Sequence, residues 1–227
     1  MSLRAVAFDI DGTLYPNSSM YRVSLPFLVR NLGLMRAFGK VRKRIRDMRP
    51  VENFYSVQAE LLGREMSTNP ETAGRLLDER VYGEWEKLLH RVDLYPFVRE
   101  CIESFRAAGM YIAVCSDFPV KTKLDVLGLS DIDWDLAFST EEIGYLKPNP
   151  EPFAHIAREL GVPPGAVLYV GNSYKYDIVG AKLAGMLAAH LTRRPAPDSI
   201  ADFSFTRFQD LRDWVLDSDS PVPSTGV

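Results

Sequence analysis

Short apolar runs recur along the chain and alternate with segments of helical periodicity. Five runs have the length of buried strands: residues 5–8, 111–115, 136–138, 167–170 and 187–191. Continuous apolar runs of this kind are typical of strands that are covered on both faces. Strands that alternate with helices predict crossover connections and therefore a parallel sheet. We predict an α/β fold, with a Rossmann-like parallel sheet and helices on both of its faces.

One long interval, residues 15–92, interrupts this alternation and has no convincing strand pattern. Two apolar stripes at helical spacing run through it: Phe38, Val41, Ile45 and Met48, and then Leu77, Val81, Trp85, Leu88 and Val92. We therefore predict a mostly helical cap, residues 15–95, inserted into a catalytic core of residues 1–14 and 96–216. Residues 217–227 lack core-forming side chains and are predicted to form a flexible tail.

Composition narrows the class of protein. The chain has 227 residues, of which 46% are hydrophobic, and a formal net charge of −3. No nucleic-acid partner is expected, because such binding requires a strongly basic face. The sequence has no apolar run of transmembrane length and no signal-peptide pattern, so we expect no membrane partner and a cytoplasmic location. Cys101 and Cys115 form no disulfide framework, and the oligomeric state stays open.

Polar side chains follow the predicted strands at the points where they end. Asp9 and Asp11 follow the first run, Ser116 follows the second, and Asn172 follows the fourth. In a doubly wound sheet, ligands bind beyond the carboxyl ends of the strands. Two neighbouring carboxylates there are costly unless a cation or a reaction uses them. Together with Lys147, these groups describe a phosphoryl-transfer site.

These residues give the sequence a resemblance to the haloacid dehalogenase superfamily of hydrolases. The four family motifs match, in chain order, DIDGT at residues 9–13, Ser116 after YIAVC, Lys147 in KPNP, and GNS at residues 171–173 followed by Asp177. The interval 15–92 lies where one subgroup of the family carries a helical cap, after the first motif. The resemblance covers nearly the whole chain.

The resemblance implies a phosphatase-like enzyme and a role for each matched residue. Asp9 would be the nucleophile that forms an aspartyl-phosphate. Asp11 would be the general acid for the leaving oxygen and then the base that activates water. Thr13 and Ser116 would bind phosphate oxygens, and Lys147 would neutralise charge on the nucleophile and on the phosphate.

The resemblance also implies Mg²⁺ as the cofactor. Its expected ligands are Asp9, Asp11 through its backbone carbonyl, Asn172 and Asp177, since Mg²⁺ prefers hard oxygen ligands. Asn172 departs from the family, which usually has an aspartate at this position. The amide oxygen can bind the metal but brings no charge, which implies weaker binding or, alternatively, a member that has lost its activity.

Our functional prediction is a Mg²⁺-dependent phosphatase that acts on a small phosphorylated metabolite. A dehalogenase of the same superfamily, a phosphomutase and a non-catalytic binding protein are the alternatives. Dehalogenation needs no acid for a departing halide, and dehalogenases of the family lack the second aspartate of the first motif, so Asp11 argues against that alternative. Taken alone, Asp9 and Asp11 are also compatible with simple turn chemistry.

Two further features have ordinary structural interpretations. The segment RAFGKVRKRIRDMR, residues 36–49, holds seven cations and one acid. We interpret it as the solvated face of a cap helix, with the alternative that one or two arginines, such as Arg42 or Arg46, reach over the active site. We interpret Asp117 as the cap of the helix that follows Ser116.

Overall fold

The computed structural model describes residues 2–217, and within them six strands form one parallel sheet. The strands are β1 (Ala5–Phe8), β2 (Tyr111–Ser116), β3 (Leu136–Ser139), β4 (Val167–Gly171), β5 (Leu187–Leu191) and β6 (Phe203–Phe205). Their order in the sheet is β3-β2-β1-β4-β5-β6. This is the order of a Rossmann-like doubly wound sheet, in which the chain reverses direction across the sheet between β1 and β4. The predicted fold class is confirmed.

The central strand β1 is apolar throughout because both of its faces are covered. Val6 and Phe8 point into one hydrophobic cluster, and Ala5 and Ala7 point into a second cluster on the opposite face. All four side chains are fully buried. The prediction from the sequence missed β6, a short strand at the edge of the sheet whose first two residues are only half-buried.

Ten α-helices are present in residues 2–217. They are α1 (Asn17–Arg30), α2 (Leu32–Asp47), α3 (Phe54–Glu65), α4 (Pro70–Leu76), α5 (Gly83–Leu89), α6 (Val98–Ala107), α7 (Lys121–Val126), α8 (Glu151–Glu159), α9 (Val179–Leu183) and α10 (Phe208–Leu216). A π-helical segment, Leu77–Tyr82, joins α4 to α5, and a second, Tyr174–Ile178, leads into α9. A single 3₁₀ turn, Pro164–Ala166, precedes β4.

The interval between β1 and α6 is helical, as the apolar stripes predict. Phe38, Val41 and Ile45 are buried in a cluster that the helices of this interval share with Leu146. Met48 does not extend the stripe, because it lies just beyond the end of α2 and is 37% exposed. Met20 of α1 and Leu89 of α5 pack instead into a cluster of the sheet. The division into a cap and a core with these boundaries stays a prediction.

Three smaller expectations concern the ends of the chain, its cysteines and membranes. Residues 218–227 of the predicted flexible tail lie outside the described residues. Cys101 and Cys115 are both buried and free. None of the helices between residues 2 and 217 has the length and apolar character needed to cross a membrane.

Candidate active site

The carboxyl end of β1 lies between β2 and β4, at the point where the chain reverses direction across the sheet. Asp9 follows β1 directly, and its backbone N–H donates to the carbonyl of Val170 at 2.9 Å. The chain then turns at Gly12, which has a φ of +85°. A Cβ atom at Gly12 would lie 2.5 Å from Nδ2 of Asn172. Only glycine therefore allows this turn to approach the end of β4 so closely.

Lys147 links two of the predicted acids. Its Nζ donates to Oδ1 of Asp9 at 2.7 Å and to Oδ1 of Asp177 at 2.7 Å, and it also contacts the Tyr169 hydroxyl at 3.2 Å. Lys147, Asp9 and Asp177 are all buried. Two carboxylates that share one buried ammonium leave one uncompensated negative charge beside the end of β1.

Burial and the neighbouring charges both shift the pKa values of Asp9 and Lys147. Burial raises the pKa of Asp9 to about 7, with Lys147 opposing the rise and Asp177 and Asp11 adding to it. For Lys147, burial lowers the pKa, but the carboxylates of Asp177 and Asp9 outweigh it and hold the pKa well above its usual value. Lys147 is therefore a permanent cation at neutral pH.

Asp177 reaches Lys147 because the chain after β4 folds back tightly. A Cβ atom at Gly171 would lie 2.3 Å from the Cβ atom of Asp177. The second carboxylate oxygen of Asp177 accepts the backbone N–H of Ser173 at 2.9 Å. The spacing from Gly171 to Asp177 thus places a carboxylate directly over the end of β4.

Thr13 joins the first predicted motif to the fourth. Its hydroxyl donates to Oδ2 of Asp9 at 2.8 Å and accepts the backbone N–H of Asn172 at 3.0 Å. Oδ1 of Asn172 lies 3.2 Å from the same hydroxyl. Since a hydroxyl has one hydrogen and the shorter contact is with Asp9, the oxygen of Asn172 keeps free lone pairs.

Asp11 lies in a separate polar environment. Its Oδ1 accepts from the Tyr15 hydroxyl at 2.6 Å, and its Oδ2 accepts from the Ser116 hydroxyl at 2.8 Å. The ammonium of Lys123 also donates to Oδ2 and lies 3.2 Å from Oγ of Ser116. Burial acts to raise the pKa of Asp11, but Lys123 and the hydrogen bonds from Tyr15 and Ser116 outweigh it, so the pKa is lowered. The two aspartates of the first motif therefore have different partners and opposite pKa shifts.

Lys123 is the residue that the sequence-based prediction missed. It is buried, although it lies on α7, six residues after Asp117. A signal for it exists in the sequence, because Val120, Leu124 and Leu127 form the buried stripe of this helix and Lys123 falls within that stripe. A lysine on the inward face of a helix needs a buried anion, and Asp11 supplies one.

The lysines also change the explanation for the paired acids. Asp9 is bonded to Lys147 and Asp11 to Lys123. Each acid of the first motif thus has an ammonium partner within the chain, although Lys147 is shared with Asp177. The two lysines therefore offset part of the charge of these acids at the end of β1, and one negative charge remains beside Asp9 and Asp177.

Two of the arginines of α2 turn inward, whereas Arg36 and Arg44 of the same helix are exposed, as the solvated-face interpretation expects. Arg42 is buried, and its guanidinium donates to Glu141, to Gln58 and to the carbonyl of Asp117. Arg46 donates to Oδ2 of Asp117 at 2.8 Å and to the carbonyl of Lys147 at 2.8 Å. The interpretation of a solvated face is wrong for these two residues. Both instead tie α2 to the loops that follow β2 and β3.

The interpretation of Asp117 as a helix cap is also wrong. Helix α7 begins at Lys121, and no side-chain hydrogen bond caps it. Asp117 accepts instead from the Thr140 hydroxyl at 2.9 Å and from the backbone N–H of Lys147 at 3.1 Å. Asp117 therefore holds the segment that carries Lys147, and Arg46 pairs with its other oxygen.

The donor atoms near Asp9 suit a magnesium ion in their chemistry. Oδ2 of Asp9 and Oδ1 of Asn172 both contact the Thr13 hydroxyl, and both are hard oxygen ligands. Residues 2–217 contain no group of three or more His, Cys, Asp or Glu side chains arranged to hold a metal. On the side of Asp177, Lys147 donates to the carboxylates of both Asp9 and Asp177, so an ion there would share these two acids with an ammonium. The residues fit one divalent cation with few acidic ligands.

Comparisons with known proteins define the family. A family model described as haloacid dehalogenase-like hydrolase matches residues 3–185. Glyceraldehyde 3-phosphate phosphatase from Methanopyrus kandleri is 31% identical, with 94% of this chain and 97% of that protein covered. Phosphoglycolate phosphatase from Mannheimia succiniciproducens is 27% identical, with 92% and 96% covered.

A solved structure agrees in fold. The L-2-haloacid dehalogenase from Xanthobacter autotrophicus superposes with a TM-score of 0.66, covering 95% of this chain and 99% of that one, at 20% identity. At this identity the likeness shows the fold alone. The chain belongs to the haloacid dehalogenase-like hydrolases. It is an enzyme of that hydrolase family, and its relatives include proteins named as phosphatases.

Proposed function

We propose that this protein is a Mg²⁺-dependent phosphatase that hydrolyses a small phosphorylated metabolite through an aspartyl-phosphate. One observation carries the proposal: Asp9 and Asp11 lie side by side but in separate hydrogen-bond environments, Asp9 with Lys147 and Thr13, and Asp11 with Tyr15, Ser116 and Lys123. Pairs of carboxylates whose environments differ in this way are suited to different chemical roles. The names of the phosphatase relatives support the same function.

In the first step, a carboxylate oxygen of Asp9 attacks phosphorus. A bond from Asp9 to phosphorus forms while the ester P–O bond breaks, and the departing alcohol oxygen takes a proton from Asp11. Lys147 and Thr13 hold the two oxygens of Asp9 at 2.7 and 2.8 Å, so the nucleophile is oriented before substrate binds. Ser116 and Lys123 supply hydrogen-bond donors beside Asp11, where the phosphate oxygens would lie.

In the second step, water attacks the phosphorus of the aspartyl-phosphate and gives its proton to Asp11. The bond from Asp9 to phosphorus breaks, inorganic phosphate leaves, and the Asp9 carboxylate is restored. The lowered pKa of Asp11 keeps it in the form that accepts this proton. The first step requires Asp11 to carry a proton. Lys123 is the main group that lowers the pKa of Asp11. An incoming phosphate competes for the ammonium of Lys123 and so weakens this interaction.

Asp9, Asn172, Asp177 and the backbone carbonyl of Asp11 would hold Mg²⁺. When bound, the ion would offset negative charge on the phosphoryl oxygens. Asn172 supports this role because its amide oxygen contacts the same Thr13 hydroxyl as Asp9 and keeps free lone pairs. Asp177 would have to share its carboxylate between the ion and Lys147.

The function is tested with a panel of phosphate monoesters assayed for release of inorganic phosphate, with Mg²⁺ and with a chelator. We expect phosphate release that depends on Mg²⁺. A parallel assay measures chloride release from 2-chloropropionate, and we expect none, because Asp11 serves the protonation of an alcohol oxygen. Chloride release without phosphate release would replace the proposal with dehalogenation, and no turnover on either set would favour a non-catalytic protein.

The position of Asn172 leads to a prediction about the metal. In Asn172→Asp the added carboxylate should strengthen Mg²⁺ binding and lower the concentration for half-maximal activity by about tenfold, which corresponds to about 1.4 kcal/mol. Titration calorimetry with Mg²⁺ gives the same comparison without turnover. Asn172→Gln, which keeps the amide, is the matched control.

Two other outcomes of this experiment have different meanings. A raised KM at saturating Mg²⁺, with unchanged metal affinity, would mean that the new charge repels the phosphate instead of meeting the metal. If neither quantity changes, Asn172 is not a ligand and the assignment should be dropped.

A further inference from the structure

A cavity of about 340 Å³ lies next to the candidate active site, between α2, α5 and the loop that joins β2 to α7. Its lining is dominated by apolar and aromatic side chains: Met35, Phe38, Val81, Trp85, Leu89 and Phe118. Phe118 is the centre of this group, with ring centroids at 6.2 Å from Phe38, 6.3 Å from Tyr82 and 6.5 Å from Trp85. Such distances are typical of packed aromatic pairs.

The cavity is joined to the site of the proposed chemistry by two residues. Lys123 lines the cavity and also donates to Asp11 and contacts Ser116. Phe118 lines the cavity, and its backbone N–H donates to Oγ of Ser116 at 3.2 Å. A phosphate held at Ser116 would therefore lie beside Asp11, and its organic group would be within reach of the cavity.

Charge in the lining selects against an acidic organic group. Among the lining residues, Lys123 and Glu86 are the ones with charged side chains. The ammonium of Lys123 is paired with Asp11 and, in the proposed reaction, is taken up by the phosphate, and Glu86 would repel a carboxylate. Arg42, the nearest cation of α2, stacks on Phe118 at 4.7 Å but is paired with Glu141. A second anionic group on the substrate would thus be buried without a free partner, which is costly.

We infer that the substrate of the proposed phosphatase is a phosphate monoester with an uncharged aromatic or comparably bulky apolar group, and that this group binds in the cavity lined by Phe38, Trp85 and Phe118. The inference rests on the proposed function and narrows it to one class of substrate. The volume agrees, since about 340 Å³ is at the lower end of the range for ligand pockets, roughly 300–1,000 Å³. A dry cavity of about 150 Å³ is known to hold benzene, so one or two rings fit.

The test compares three phosphates of primary alcohols: ethyl phosphate, 2-phenylethyl phosphate and phosphoglycolate. We expect kcat/KM for 2-phenylethyl phosphate to exceed that for ethyl phosphate by at least about tenfold, because a single methylene in an apolar pocket already changes kcat/KM by about 10-fold or more. Phosphoglycolate should be no better than ethyl phosphate. Each rate is measured in wild type and in Asp9→Asn, so that hydrolysis is assigned to the proposed nucleophile.

Two substitutions at Met35, a half-buried residue of the lining, test whether the preference for 2-phenylethyl phosphate arises in this cavity. Met35→Trp should fill the cavity and lower the ratio of kcat/KM for 2-phenylethyl phosphate to kcat/KM for ethyl phosphate by at least about tenfold. Met35→Lys should raise kcat/KM for phosphoglycolate, since it adds the missing cation. Leu32→Trp is the matched control, because Leu32 lies on the same helix, is 49% exposed and is not part of the lining.

The outcomes separate the two proposals. Hydrolysis of ethyl phosphate that depends on Asp9, with no preference for 2-phenylethyl phosphate or with a preference for phosphoglycolate, would overturn the inference and leave the phosphatase function intact. A preference that persists in Met35→Trp would place the aromatic group elsewhere and also overturn it. Failure of all three esters would overturn the phosphatase function and this inference with it.

Discussion

Substitution of Asp9 by asparagine is expected to abolish phosphatase turnover, with a loss in kcat of at least about 10⁴-fold, because an amide cannot form the acyl-phosphate. The shape of the side chain is kept, and its oxygen can still accept the hydrogen bond from Thr13 or Lys147. Hydrolysis of the preferred monoester is the measurement. In wild type, the phosphoenzyme should also be trapped by acid quench with labelled substrate, and this label should be absent in Asp9→Asn.

The fold should tolerate this change. Burial raises the pKa of Asp9 to about 7, which means that the folded state disfavours the charged form at this position. Removal of this negative charge in Asp9→Asn should therefore leave the free energy of unfolding at pH 7 unchanged or increased. Lys147 keeps a partner in the variant, because it still pairs with Asp177. Asp210→Asn, the same change at a partly exposed residue paired with Arg207, is the control. Retention of wild-type turnover by Asp9→Asn would show that another group is the nucleophile.

The second large effect is expected at Lys123. Lys123→Met leaves the Asp11 carboxylate without its ammonium partner in a mostly buried position, and loss of one partner of a buried pair costs about 3 kcal/mol of unfolding free energy. The pair lowers the pKa of Asp11 in the folded state, so its contribution is full at pH 7 and is lost as the pH falls through that lowered pKa. Urea unfolding of wild type and Lys123→Met, at pH 7 and at acidic pH, measures the difference in unfolding free energy at both pH values.

A double substitution separates the structural effect from the catalytic one. In Lys123→Met combined with Asp11→Asn no charge is left unpaired, so stability should return to near the wild-type value. Activity should not return, because the proposed acid and the donor beside the phosphate are both missing, and kcat/KM should stay at least about 10²-fold below wild type. Lys121→Met, an exposed lysine of the same helix, is the control. If the single variant keeps full activity, Lys123 contributes to stability alone.

Much of the architecture is determined by local features of the sequence. The five predicted strands are present with ends that differ by at most one residue, because buried parallel strands need continuous apolar runs such as residues 5–8. The four motifs meet at one edge of the sheet, because parallel strands bring their carboxyl ends together. Thus Lys147 and Asp177 contact each other across 30 residues of sequence, as the motif pattern implies. The strand β6 was missed because three residues at a sheet edge give little apolar signal.

Only the tertiary structure decided which partners the charged residues have. The cations of α2 have the same appearance in sequence, yet Arg42 and Arg46 are turned inward to Glu141 and Asp117 while Lys40 stays at the surface. Lys123 bonds to Asp11 across 112 positions of the chain. Periodicity records which residues are apolar, and it carries no information about which distant anion meets a given cation. That pairing depends on how α2 and α7 pack around the end of the sheet, and the same packing forms the aromatic cavity around Phe118.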